Sequence, residues 1–282
     1  MILIPGNSGC SVEIVSDNNL TKVKKSTYNK DYVPRLKKQF EKQIFYRDIL
    51  GKFDNISTPE IFSANHGEEY FSFLMEHKRF LDCLTFLSTS GKYEIDRFFN
   101  SINSFIEYEI HNSKTEEDIL QKFIFKYSDT MAGINNQSTL PKDITKKIDK
   151  IIYSVSEMKV PVGICHGDLT LSNILTSKNT KEISLIDFLD NFVETPLQDM
   201  VKIRQDTKFL WTTFISNSRF DTTRNEIVMK YLDNKFNQSF NQYDFYTSYY
   251  KPFQILNILR IFRYTSDRRI LDYLVRCLRC IA

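Results

Sequence analysis

The chain has 282 residues, 41% hydrophobic and 26% charged, with a formal net charge of +3. That is enough chain for one large domain or two lobes around a sizeable core, and the sparse glycine and proline exclude a collagen-like or disordered chain. A charge so close to neutral does not suggest a dedicated nucleic-acid binder, though it would not repel a nucleotide. The five cysteines, Cys10, Cys83, Cys165, Cys277 and Cys280, are odd in number and scattered, which is no disulfide framework. Cys277 and Cys280 form a C-x-x-C without a second pair of ligands. They read as small apolar side chains on a last helix rather than a zinc or redox site. The opening residues carry no basic leader, and no apolar run reaches spanning length. A cytoplasmic protein with no membrane or nucleic-acid partner is expected.

Residues 1–26 read as strands. Ser11–Val15 alternates around Val12 and Ile14, and a turn at residues 17–19 leads into LTKVKKS. Before them stands Gly6-Asn7-Ser8-Gly9. Two glycines between apolar strands make either a plain hairpin turn or a tight turn whose backbone amides, at Gly6, Ser8 and Gly9, face a phosphate. Neither a P-loop nor a dinucleotide-binding glycine motif is present. Lys25 shares a strand face with Val23, and Lys24 shares the other with Lys22. A single inward lysine beside an apolar residue can reach nucleotide phosphates; the alternative is a pair of surface lysines on an edge strand.

Residues 33–50 carry apolar side chains at helical spacing. Glu41 lies on that helix. It either pairs with Lys25 and aims it, or is a solvated acid among Lys37, Lys38 and Lys42. Residues 58–62 read as a turn into a short strand, residues 66–69 as a hairpin turn, and Tyr70–His77 as a strongly apolar strand. The end of that strand is a natural link between lobes, where Met75, Glu76 and His77 would offer backbone groups to a purine. Residues 80–153 read as helices whose apolar stripes need only a core to explain them, broken by a polar loop over 133–141.

The most informative stretch runs from His166 to Asp190, HGDLTLSNIL and then ISLIDFLD. Asp168, Asn173 five residues on, and Asp187 at the end of an apolar run are the residue types that phosphoryl transfer from Mg-ATP requires. One carboxylate orients the attacking hydroxyl and takes its proton, while an amide oxygen and a second carboxylate hold the magnesium. Downstream, MVKIRQDTKFLWTTFI reads as a helix, and the remainder is helical and aromatic-rich, with arginines at 260, 263, 268 and 269.

HGDLTLSNIL followed by IDF resembles the aminoglycoside phosphotransferase and choline kinase superfamily, the small-molecule relatives of protein kinases. Their shared pattern is H-G-D-x-x-x-x-N and then I-D-[FW]. The resemblance implies an α+β, two-lobed, protein-kinase-like fold. Residues 1–77 would form a nucleotide-binding N-lobe, a small antiparallel sheet with one helix. Residues 78–282 would form a larger, mainly helical C-lobe with the catalytic loop and the acceptor site. It implies Asp168 as catalytic base, Asn173 and Asp187 as magnesium ligands, Lys25 on the phosphates of ATP or GTP, and Glu41 paired with Lys25. His166 and Asp199 would support the loop.

Gly167 stands where protein kinases have arginine, Leu189 where they have the glycine of Asp-Phe-Gly, and no Ala-Pro-Glu follows. These departures favour a small-molecule kinase over a Ser/Thr protein kinase, and the presence of base, both metal ligands and lysine speaks against a non-catalytic nucleotide-binding scaffold. Choline and ethanolamine kinases usually show H-N-D, so Gly167 leans away from that branch. The run from Ile186 to Phe209 is also similar to bacterial phosphotransferases encoded with surface-polysaccharide genes. That makes a sugar or capsular polysaccharide precursor the expected acceptor, with Asp190, Arg204, Asp206, Lys208 and Trp211 as candidate contacts. The basic C-terminal third is either an acidic-acceptor site or a solvated surface.

Overall fold

The computed structural model describes every residue except 1, 5–8, 18–19, 68, 114, 136–139 and 217–219. In chain order come strands β1 (Ile2–Ile4), β2 (Ser11–Asp17) and β3 (Leu20–Thr27), helix α1 (Val33–Leu50), and strands β4 (Ile56–Ser57), β5 (Ile61–His66), β6 (Phe71–Glu76) and β7 (Leu81–Asp82). Helices α2 (Cys83–Thr89) and α3 (Lys92–Asn112), strand β8 (Thr115–Asp118), helices α4 (Leu120–Asn135) and α5 (Lys142–Tyr153), and strands β9 (Lys159–Val162), β10 (Ile174–Thr176) and β11 (Ile183–Leu185) follow. The chain ends in α6 (Pro196–Thr207), α7 (Trp211–Ile215), α8 (Thr222–Phe240), α9 (Asp244–Arg263) and α10 (Arg268–Ile281). It divides into two units. The first holds Met1–Ser101, Asp168–Asp190 and Asn217–Asn225; the second holds Ile102–Gly167, Asn191–Ser216 and Glu226–Ala282.

In the first unit, β1, β2, β3, β6 and β5 lie side by side in that order, every pairing antiparallel. Alternation puts Val23 and Lys25 on one face of β3, and they are 7% and 4% exposed. Helix α1 begins with Pro34 in its first turn, where the missing N–H costs nothing. Its buried stripe, Leu36, Gln39, Gln43, Tyr46 and Leu50, has the three-and-four spacing of one helix face. Leu36 and Val33 pack on Val23, Phe71, Phe73 and Met75 to form the core under the sheet. A second sheet, β4-β11-β10-β7, has β4 parallel to β11 and the other pairings antiparallel. Asp82 ends β7 and caps α2, its side chain accepting from Thr85 N–H at 2.9 Å.

The second unit is mainly helical. Phe123 stacks on Phe253 with centroids 5.2 Å apart, joining α4 to α9, and Phe192 packs against both rings. Tyr127 donates to Asp149 at 2.7 Å, which links α4 to α5.

Three expectations need correction. Residues 80–153 are not helical throughout, because β7 pairs with β10 and β8 with β9. Thr115-Glu-Glu-Asp has no apolar period to announce a strand; its register with Lys159–Val162 makes it one. Asp118 then fixes where α4 starts by accepting from Leu120 and Met158 N–H, both at 3.0 Å. Next, α4 runs on through Gly133 and Ile134, into the expected loop. Arg263 lies against Gly133 where a Cβ would stand, so glycine is tolerated for close approach rather than as a breaker. Finally, the helix after Asp190 breaks in two at Leu210, whose φ is 58°.

Candidate active site

Asp168, Asn173 and Asp187 gather in the first unit. Thr170 N–H donates to Asp168 O at 2.7 Å, and one 3₁₀ turn, Leu171–Asn173, carries the chain into β10. Asn173 Nδ2 donates to Asp168 O at 2.8 Å and to Asp168 Oδ2 at 2.9 Å. With both amide hydrogens engaged, Oδ1 is the atom of Asn173 left for a cation. Ile186 N–H donates to Asn173 O at 3.0 Å, so the end of β11 that bears Asp187 is tied to the loop that bears Asp168. Asp187 sits at φ 62°, a left-handed conformation that few non-glycine residues hold without support. Its Oδ1 accepts from the ammonium of Lys25, which is buried while Asp187 is 43% exposed.

The Lys25–Glu41 pair does not form. Glu41 is exposed on α1, two residues from buried Gln39 and two from buried Gln43, while Lys25 is engaged by Asp187. Gln43 instead donates to Pro59 O at 2.9 Å. Helix α1 meets the segment after β11 through helix residues that the sequence did not single out. Lys42 donates to Leu189 O at 2.5 Å, and the Tyr46 and Phe188 rings lie 4.7 Å apart. Lys38 donates to Asp190 Oδ2 at 3.0 Å, which gives Asp190 a partner within the fold.

The residues just ahead of Asp168 belong to the second unit. Fully buried Asp199, in the first turn of α6, accepts from His166 N–H at 2.5 Å and from Gly167 N–H at 2.8 Å. Glu109, also fully buried, accepts from the same His166 N–H at 2.9 Å. Asn191 Nδ2 donates to Gly167 O at 2.9 Å, and Arg260 donates to Asn191 Oδ1 at 3.3 Å. Glu109 and Asn191 were missed in the sequence. An acid among the apolar positions of α3 was the available signal for Glu109; for Asn191 there was none. Gly167 has φ 91°, in the region glycine enters freely.

The remaining candidates divide. Gly6 and Ser8 lie outside the described residues. Gly9 packs against the Tyr32 ring, and its carbonyl accepts from Thr27 Oγ1 at 2.9 Å. Met75 lies between Val23 and Ile61 within the sheet, and Glu76 N–H is committed to Glu60 O at 2.8 Å. His77 alone of that trio follows the end of β6. Arg204 is buried and internal: it contacts Asp233 Oδ1 at 2.6 Å and donates to Tyr246 Oη at 2.6 Å. Asp206 is 1% exposed and accepts from Thr212 N–H at 2.8 Å, capping α7. Lys208 is exposed and lies over Tyr250; partial burial, helped by nearby Arg204, holds its pKa below the usual lysine value. Trp211 packs near Tyr273 on α10. Of the C-terminal arginines, Arg263 pairs with Asp129 at 2.7 Å and Arg268 with Asp272 at 3.2 Å, while Arg269 lies over Phe214.

The donor set suits magnesium. Among the described residues no three His, Cys, Asp or Glu side chains form a cage sufficient by itself. One carboxylate and one amide oxygen are hard ligands, and magnesium bound with a nucleotide takes only one or two such groups, with phosphates and water completing its shell.

A family model, choline/ethanolamine kinase, matches residues 17–190, more than half of the chain and all of this loop. The chain belongs to the choline/ethanolamine kinase family. It is a small-molecule kinase by family and lies within the superfamily that HGDLTLSNIL pointed to. The lean away from choline kinases drawn from Gly167 is corrected by that match, and its φ supplies a reason: asparagine, the residue usual there, also visits the left-handed region. No curated protein matches the chain.

Solved structures show the fold of this choline/ethanolamine kinase family member. A Haemophilus somnus protein assigned as a fructosamine-3-kinase is 12% identical with a TM-score of 0.58, over 98% of this chain and 90% of that one. A Plasmodium vivax ethanolamine kinase is 14% identical with a TM-score of 0.53, over 100% and 81%. A type I macrolide 2'-phosphotransferase is 11% identical with a TM-score of 0.57, over 99% and 90%. At such identities the likeness is one of fold, and it is the mixed α+β kinase-like fold expected from the sequence. No helix among the described residues is long and apolar enough to cross a membrane.

Proposed function

We propose that the protein transfers the γ-phosphate of ATP or GTP, with Mg²⁺, to a hydroxyl of a small molecule, a sugar or polysaccharide precursor, in the cytoplasm. The observation that carries this reading is the Asp168–Asn173–Asp187 group at one end of β10 and β11. There, Asn173 spends its amide hydrogens on Asp168, which leaves its oxygen as the atom for a cation. Asp168 accepts the proton of the acceptor hydroxyl as the oxygen attacks phosphorus. Asn173 Oδ1 and the Asp187 carboxylate would hold Mg²⁺, which, when bound, neutralises charge on the phosphates. Lys25, which donates to Asp187 Oδ1, would contact the phosphates by a charge-assisted hydrogen bond. Residues 1–77 are the nucleotide-binding lobe of this reading and residues 78–282 carry catalysis and the acceptor.

Acceptor recognition falls to Lys208 and Trp211 among the candidates, since Arg204 and Asp206 are occupied within the fold. A screen of ATP consumption over sugars, sugar phosphates, amino alcohols, nucleosides and aminoglycosides tests the reading. Turnover with one small acceptor is expected; labelling of protein instead, or of no acceptor at all, would contradict it.

A further inference from the structure

We infer that Lys42, flanked by Lys38 and Tyr46 on α1, positions Asp187 for its cation, in the place where the sequence pointed to a Lys25–Glu41 pair. The inference rests on the reading of Asp187 as a metal ligand. The three α1 residues are four apart and so form one stripe. Successive turns hold successive residues: Tyr46 meets the Phe188 ring, Lys42 the Leu189 carbonyl, and Lys38 the Asp190 carboxylate. Asp187 comes immediately before them, at φ 62°. A non-glycine residue in this conformation is held by the structure around it. Ile186, bonded to Asn173 O, fixes one flank; the α1 stripe fixes the other. Lys42 is the central contact, because an ammonium on a backbone carbonyl at 2.5 Å is a strong, directional restraint on the peptide two residues from Asp187. Glu41, one position away, is exposed.

The test is binding of Mn²⁺, a paramagnetic stand-in for Mg²⁺, followed by electron paramagnetic resonance with ADP present, alongside ADP binding without metal. Lys42→Met should weaken Mn²⁺ binding by about tenfold, the cost usual for residues that orient a metal ligand. Metal-free ADP affinity should be unchanged, and Lys42→Arg should restore most of the loss. Lys38→Met, at an exposed site, should give a smaller loss of about threefold, the scale of one exposed ion pair, and decides the matter if Lys42→Met does not fold. Wild-type Mn²⁺ affinity in folded Lys42→Met, or in Lys38→Met should it stand alone, overturns the inference and leaves the kinase reading intact. Failure of the unaltered protein to bind Mn²⁺ with ADP overturns both.

Discussion

Asp199 offers a direct test of how the loop ahead of Asp168 is held. Its two oxygens accept from consecutive backbone N–H groups, His166 and Gly167, in a fully buried setting. Asp199→Asn keeps the shape and removes one acceptor. The amide can turn its NH₂ toward His166, whose N–H keeps Glu109 as a partner. Gly167 then retains its bond, and the loss is that of one charged hydrogen bond, about 1–3 kcal/mol. Asp199→Ala also strands the Gly167 N–H, adding roughly 1–3 kcal/mol. In a chain of this size each kcal/mol lowers Tm by about 2–4 °C. Hydrogen exchange at the Gly167 amide, followed with thermal unfolding, reads both effects. Protection there should persist in Asp199→Asn and collapse in Asp199→Ala. Equal Tm in all three proteins, or undiminished protection in Asp199→Ala, would refute the brace.

Other outcomes follow from single contacts. Gly167→Ala forces a side chain into φ 91° and should cost about 1–2 kcal/mol by denaturant titration, with Gly167→Asn costing less. Lys25→Met should lower nucleotide affinity by about 10–100-fold, the worth of one charged hydrogen bond, as measured by calorimetry; unchanged affinity would remove Lys25 from the phosphate site. Asp129 is held below the usual carboxylate pKa by Lys126 and then Arg263. A depressed acid stabilises the fold above its unfolded pKa of about 4 and loses that contribution as pH falls through the folded value. Arg263→Met should therefore lower Tm by more at neutral pH than in strong acid, where only its packing on Gly133 and its bond to the Asp129 carbonyl are lost; an equal loss at both would remove the ion pair from the account. Burial raises the Cys277 pKa to about 11, so Cys280, exposed on the same helix, should alkylate first in the native protein.

The grouping of the candidate site was legible because phosphoryl transfer would demand particular residue types at fixed spacing. Motif spacing pointed to Asp168, Asn173 and Asp187 as one group, and they do come together; strand alternation separated buried Lys25 from Lys24. What the sequence hid is the packing of α1. Glu41 and Lys42 are neighbours in an evenly charged run, and periodicity alone does not tell which turns toward the segment after β11. The helix phase is set by Leu36, Tyr46 and Leu50, and it leaves Glu41 in solvent. Strands β7 and β8 were hidden for a related reason. They are short, and their register comes from partners far along the chain rather than from their own side chains.

The central claim is that Asp168 removes the acceptor proton while other groups bind the nucleotide. Asp168→Asn tests it when turnover and Mg-ADP affinity are measured on the same preparation. Turnover should fall by about 10²–10⁴-fold, the usual cost of losing a general base, with affinity nearly unchanged. Turnover close to that of the unaltered protein would contradict the account.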